Sequence, residues 1–293
     1  MIKLNVLVLG AGYAGVNAYY ALRGKATLIT DSSTFKFYTA YLRNLLRVTP
    51  YISKLPKGAV IERINDLDLK GKWIIVGGRK VQADKMVIAL GCRRPRLDQL
   101  LRELRSSNRP SLGVEYNYDE YIAIQALLYL RQRGLEVKYC GSPLSWLGEE
   151  VSKVVDDSLS EVGVRVGESC EFQLTAPEPH ELIGRFLSPG PSLEVEPGVY
   201  VAGDLLEGPK LGELAMRMGT VAGLNASGRA KVLKPIFINI LDFGKFGLHI
   251  RSDVPWGGTY VSVKKSPIRR LMKRFIEKYY LWRKGRMGIL SFL

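Results

Sequence analysis

The stretch LNVLVLGAGYAGVNAYYALRGKATLITD, residues 4–31, decides how the rest of the chain is read. Leu4 and Val6 to Leu9 form the pattern of a buried parallel strand. Gly10, Gly12 and Gly15 follow at G-x-G-x-x-G spacing. A helical stretch runs from about Tyr13 to Leu22, and a second strand, Ala26 to Thr30, ends at Asp31. Each part has a physical purpose. Gly10 permits the tight turn, Gly12 has no Cβ to hold off a pyrophosphate, and Gly15 lets helix and strand pack closely. The helix N-terminus turns unpaired N–H groups and a partial positive charge toward phosphate. Asp31 is placed to accept hydrogen bonds from a ribose hydroxyl pair. Glycine spacing alone is a weak signal, but strand, glycines, helix, strand and acid in order predict a dinucleotide site.

Composition narrows the class. The chain has 293 residues, enough for two modest domains, with 46% hydrophobic residues to build a core. Cys92, Cys140 and Cys170 are odd in number and widely spaced. They show no disulfide framework or zinc spacing, and read as inert packing in a reducing compartment. With His180 and His249 as the two histidines, a histidine-rich metal site is not expected. No signal peptide is expected before the first strand, and no apolar run reaches the ~18 residues needed to span a bilayer. The net charge is +15, and residues 264–286 hold ten Lys or Arg against one Glu. Such a basic segment suits nucleic acid or an anionic membrane on charge alone. No nucleic-acid module accompanies it, so nucleic acid is not expected as a partner.

After Asp31, TFKFYTAYLRNLLR reads as a loop entering a helix. Residues 58–90 read as an antiparallel meander, GAVIERI, KWIIV and KVQA, leading into a buried strand, Lys85 to Leu90, that ends at Gly91. Residues 93–110 suggest a short surface helix and a linker. A second strand–helix series then runs from Leu112 to Val166 and predicts another doubly wound unit. Its first turn, GVEYNYDEY, has one glycine where a fingerprint has three, and the strand ending at Cys140 has no acid after it. The expectation is a nucleotide-domain shape without the binding chemistry. Pro197 to Asp204 forms a strand ending in Gly203-Asp204, and a helix rich in small residues follows. Residues 235–263 are β-prone. Pro267 to about Lys284 predicts an amphipathic helix with Ile268, Leu271, Met272, Phe275, Ile276, Tyr279 and Trp282 on one face and basic residues around them. The apolar tail Ile289 to Leu293 closes the chain.

This ordered set, with its VIALG and VYVAGD strands, resembles the two-dinucleotide-binding-domain flavoproteins, in which FAD lies in the first domain. The C-terminal half is most similar to sulfide:quinone oxidoreductases. Pro209-Lys210-Leu211-Gly212 resembles their turn beside the flavin, Leu241-Asp242-Phe243-Gly244 their Asp-Phe-Gly segment, and Phe275 to Leu281 their C-terminal membrane helix. Type II NADH dehydrogenases share the plan. The resemblance implies an α/β fold with two Rossmann-like domains, the FAD domain discontinuous over 1–108 and 192–234. A degenerate second domain would span 109–191, and a C-terminal region 235–293 would carry a membrane-interface helix at 267–284.

Carried over by residue, Gly10, Gly12, Ala14 and Gly15 would hold the FAD pyrophosphate and Asp31 the adenosine ribose. Val60 would pass the adenine, and Ala89 and Gly91 would flank the flavin nucleotide. Asp204, after Gly203, would bond the ribityl chain. Lys210, near Gly212, would sit by the pyrimidine end of the isoalloxazine as the candidate catalytic residue. The resemblance also implies a quinone acceptor, a peripheral place on the cytoplasmic face of the cell membrane, and membrane-complex or homo-oligomer partners. The sulfide enzymes' pair of redox cysteines has no counterpart here, and GVEYNYDEY speaks against NADH. The donor is therefore left open. The alternatives are a type II NADH:quinone oxidoreductase and a flavin-bearing or inactive structural subunit.

Overall fold

A computed structural model describes residues 5–288 of the protein; the expectations for Leu4 and for the tail Ile289 to Leu293 lie outside the described residues. The first strand, Val6–Leu9, is buried along its whole length. It lies at the middle of a six-stranded sheet, flanked in parallel by Thr27–Thr30 and Lys85–Ile88. Val199–Val201 continues the sheet in parallel beyond Lys85–Ile88, with Glu194–Glu196 as an antiparallel edge. Continuous apolar runs such as Met86, Val87 and Ile88 are what a parallel strand covered on both faces requires.

Helix Tyr13–Ala21 packs on this sheet side by side with helix Gly212–Ala226. Their approach is unusually close. A Cβ added to Gly219 would lie 2.0 Å from the Ala14 carbonyl oxygen, and one on Gly223 2.5 Å from that of Ala18. The small residues of the second helix thus have a mechanical reason: they admit the backbone of the first.

The second unit is a four-stranded parallel sheet in the order Val164–Gly167, Val137–Cys140, Ser111–Val114, Phe172–Leu174, with helix Glu120–Gln132 packed against it. The third is an antiparallel sheet of Phe237–Asp242, Gly247–Ser252 and Val261–Ser266. Helix Pro267–Trp282 follows, with Pro267 in its first turn and the Ser266 hydroxyl accepting from the Arg269 N–H. The α/β class and the two Rossmann-like units agree with the sequence reading.

Three expectations change. Val60–Ile61 does not belong to the meander but pairs in parallel with Thr27–Thr30 as the edge of the main sheet, leaving Ile64–Asp68, Trp73–Val76 and Arg79–Gln82 as the meander. Cys140 and Cys170 form a disulfide and are not reduced packing residues. The chain leaves Val164–Gly167 and crosses to pair Phe172–Leu174 beside Ser111–Val114, which carries Cys170 back over the end of strand Val137–Cys140. Their Cα atoms end 6.0 Å apart, thirty residues apart in sequence. The last helix also ends at Trp282, short of Lys284, which takes a left-handed φ of 53°.

The close helix contact gives a clean stability test. Gly219→Ala should cost about 3 kcal/mol, because its methyl meets backbone that cannot rotate away. Gly190→Ala, where an added Cβ has nothing within 4 Å, should stay within about 0.5 kcal/mol of wild type. Urea midpoints compare the two.

Candidate functional site

The turn after the first strand separates the glycines by role. Gly10 has a φ of +93°, and a Cβ there would lie 2.4 Å from the Ala89 carbonyl oxygen; one on Gly15 would lie 1.8 Å from the Gly10 oxygen. Both are required by the backbone itself. An added Cβ on Gly12 meets nothing within 4 Å. Gly12 caps helix Tyr13–Ala21 with no side-chain cap and no acid in the first turn. Bare N–H groups and open space therefore meet at one place, where an anion gains most from the helix dipole. Asp31 is exposed at the end of the neighbouring strand, and Val60 is half-exposed on the strand beyond it. Gly91, at φ +75°, also has open space beside it. A dinucleotide laid across the carboxyl ends of these strands would meet these positions in order, so the residues present fit such a group.

Ala14, Gly203 and Gly212 have packing roles. Ala14 is buried, its methyl 2.8 Å from a Cβ placed on Gly203, and Gly212 abuts the Tyr13 ring. The large cavity, about 490 Å³, begins at Tyr13, Cys92, Asp204 and Lys210 and runs to the third sheet and the last helix. Lys210 is almost fully buried; its ammonium donates to the Leu206 carbonyl and lies 3.9 Å from the centre of the Phe186 ring. Burial lowers its pKa and raises that of Asp204, while each carboxylate–ammonium attraction works the other way. The Cys92 thiol is pushed up to about 12 by burial and then by Asp204, so it is held as the thiol.

The sequence reading gave no site role to a buried charge cluster whose Lys273 and Glu277 line this cavity. Arg43, 2% exposed, bonds Glu277 through Nε at 2.7 Å and Nη2 at 2.8 Å, and Asp242 through Nη1 at 3.0 Å. Lys273 donates to Gln125 and, at 2.6 Å, to the Ile240 carbonyl. Burial brings its pKa down to about 8. Burial alone would raise Asp242, but the Gly244 N–H and the Arg43 guanidinium outweigh it and hold the carboxyl below its ordinary range. Asp242, expected as part of an Asp-Phe-Gly segment, is thus the centre of a buried charge cluster. The TFKFYTAYLRNLLR segment contained the clue, an arginine inside an apolar pattern.

The first turn of the second unit is tied down by its own side chains. Asp119, fully buried, takes a two-pronged bond from Arg94, one arm at 2.8 Å. The Tyr116 hydroxyl donates to the Gly208 carbonyl at 3.0 Å, and the Tyr121 hydroxyl to that of Lys210. The turn GVEYNYDEY is thereby tied to the segment carrying Lys210. A smaller cavity of about 260 Å³ beyond it is lined by Glu103, Glu115 and Glu171 as well as Arg94 and Arg96. Among the described residues no group of metal-ligating side chains is present, and no helix is long and apolar enough to cross a membrane.

No protein-family model matches the chain. Its fold is that of the two-domain FAD/NAD(P) oxidoreductases. The sulfide:quinone oxidoreductase of the hyperthermophilic bacterium Aquifex aeolicus superposes with a TM-score of 0.80 at 16% identity, over 98% of this chain and 94% of that one. NADH:rubredoxin oxidoreductase from Clostridium acetobutylicum superposes at 0.63 and 18% identity, over 86% and 82%. A NAD-dependent persulfide reductase from A. fulgidus also superposes at 0.63, at 17% identity, over 85% and 64%.

One group at the closed turn titrates usefully. Glu120 is buried at the start of helix Glu120–Gln132 and accepts from the Leu144 N–H at 2.6 Å. Burial outweighs its hydrogen bonds and raises its pKa from 4.5 to about 7. The folded state therefore binds this proton more tightly than the unfolded one, and the associated stability is lost as pH rises from about 4.5 to about 7. Glu120→Gln should flatten that slope and stabilise the protein at pH 8 by up to about 3 kcal/mol, measured as urea midpoints at pH 5 and pH 8.

Proposed function

We propose that the chain is a FAD-dependent oxidoreductase that passes electrons from a donor to a quinone at an anionic membrane surface. In this reading residues 1–108 and 192–234 form the FAD-binding domain, 109–191 a degenerate nucleotide domain, and 235–293 the acceptor side. The observation that carries it is the open space over Gly12 at an uncapped helix N-terminus, from which the next residue, Tyr13, leads into the cavity of Asp204 and Lys210.

FAD, when bound, supplies two-electron redox chemistry. The chain's residues do the rest. The Gly10–Gly15 turn and the N–H groups behind it bind the pyrophosphate, and Asp31 accepts from the adenosine ribose. Asp204 would bond the ribityl chain, and the Lys210 ammonium, held by Leu206 and Phe186, would supply positive charge to stabilise a reduced flavin.

The last helix supports the membrane side. Its charged residues Lys273 and Glu277 face the protein, while Ile268, Leu271, Phe275 and Trp282 are 58% to 74% exposed along one stripe. Ile52, on the strand packed beside the helix, extends it. An apolar stripe edged by Lys278, Arg269 and Arg270 is the pattern of a helix lying in a membrane interface. Deleting the helix would be a poor test, because it would leave Arg43 and Asp242 buried without Glu277 and Lys273.

Purified protein should be yellow, and Gly12→Val should be colourless at unchanged stability; full flavin content in the variant would overturn the cofactor assignment. Leu271→Glu with Phe275→Glu should keep the flavin but lose co-sedimentation with liposomes. NADH at micromolar concentration should leave the flavin oxidised, since Arg94, Asp119 and the tyrosines close the second site. Rapid, saturable bleaching would instead establish an NADH:quinone oxidoreductase.

A further inference from the structure

The outer end of the large cavity has a wall with too much positive charge. Strand Gly247–Ser252 points Leu248 and Ile250 into the core, so His249 and Arg251 share its other face. The register sets Lys264 opposite His249 and Ser262 opposite Arg251 on the next strand, and Ile240 and Ile238 opposite them on the previous one. All six line the cavity, and Arg269, from the first turn of the last helix, joins them with its Nη1 3.1 Å from His249 Nδ1. Among the described residues Arg251 and Lys264 form no side-chain hydrogen bond or ion pair, and Arg251 Nε is buried with no acceptor. Glu213, on the same cavity, attracts Arg251 through charge, while its hydrogen-bonded partner is Arg217. Burial, then Arg269, Arg251 and Lys264, hold the His249 ring at about 4, so it stays neutral among three cations. Arg251 and Arg269 are half-buried, and a guanidinium whose buried Nε lacks an acceptor among clustered cations gains from a bound anion.

The position of the wall says which anion. Arg269 directly follows Ile268, the first residue of the exposed apolar stripe, so the cationic pocket lies at the end of the helix where the stripe begins. We propose that His249, Arg251, Lys264 and Arg269 bind the phosphate headgroup of an anionic phospholipid, whose acyl chains lie along Ile268, Leu271 and Phe275. Arg251 and Arg269 supply forked donors to the phosphate oxygens, Lys264 supplies a third cation from the exposed edge, and neutral His249 donates one N–H. The site rests on the membrane reading above and sharpens it, fixing where the helix starts against the headgroups.

The test uses the full chain and co-sedimentation with vesicles of phosphatidylcholine alone or mixed with phosphatidylglycerol. Wild type should prefer the mixed vesicles. Arg251→Gln with Lys264→Gln should lower affinity for the mixed vesicles about tenfold or more, the loss of two lysine-like contacts, and leave binding to the neutral ones unchanged. Lys70→Gln with Arg79→Gln, equal in charge but on the exposed meander, is the control and should lose far less. Matching urea midpoints for all three proteins exclude unfolding. Equal losses in both variants would mean diffuse attraction and overturn the site. Equal wild-type binding to neutral and mixed vesicles would overturn the headgroup site while the membrane reading stands. Failure to bind either vesicle would overturn the membrane reading itself. Inorganic phosphate is the other arm: if it binds wild type but not the Arg251/Lys264 variant, and vesicle composition has no effect, the pocket takes a soluble phosphate and the lipid assignment falls.

Discussion

Arg43 and its two carboxylates govern how the C-terminal third of the protein sits on the rest. The guanidinium comes from a short turn after the first strands, Asp242 from the third sheet, and Glu277 from the last helix, and all three are nearly inaccessible to water. Taking such charges out of water is expensive, and removing one partner of a buried pair costs about 3–5 kcal/mol because the other is left uncompensated. The helix can satisfy Arg43 only by turning its Glu277 and Lys273 side inward. Its apolar side is then forced outward. An amphipathic helix normally buries its apolar stripe; here a buried ion cluster outcompetes that stripe for the inner face, and the exposed apolar surface is the consequence.

The second constraint is backbone contact. Helices Tyr13–Ala21 and Gly212–Ala226 touch through Gly219 and Gly223 with no room for a methyl group. That contact sets the height of the first helix above the sheet, and so where its uncapped N-terminus stands relative to Asp204 at the end of strand Val199–Val201. A chain segment about two hundred residues away thus positions the Gly12 opening.

Much of this was legible in the sequence because the signals are local. The first strand, its glycine turn and the proline start of the last helix each depend on a few adjacent residues. What escaped depends on pairings between distant ones. The Cys140–Cys170 bond follows from a strand crossing over the sheet, and Val60–Ile61 joined the main sheet because an edge was free beside Thr27–Thr30. The fingerprint spacing already divides its glycines between turn, open approach and packing, and the backbone agrees: Gly10 and Gly15 answer to close contacts while Gly12 faces open space. The sequence places Lys273 simply among the basic residues around the apolar face; its burial needed Gln125 and the Ile240 carbonyl, neither predictable from spacing.

These constraints combine at the cavity. On one side Arg94, Asp119, Tyr116 and Tyr121 sew the second unit to the segment of Lys210. On the other the charge cluster clamps the last helix over the third sheet, with Met272, Lys273 and Ile276 turned to the cavity and Leu271 and Phe275 turned away. The same helix therefore has one apolar edge lining the interior space and another facing outside, within one turn of each other. In a helix oriented by its apolar stripe alone, both edges would be buried and the cavity would have no apolar approach. The buried arginine, by inverting the helix, is what gives the interior site an apolar border.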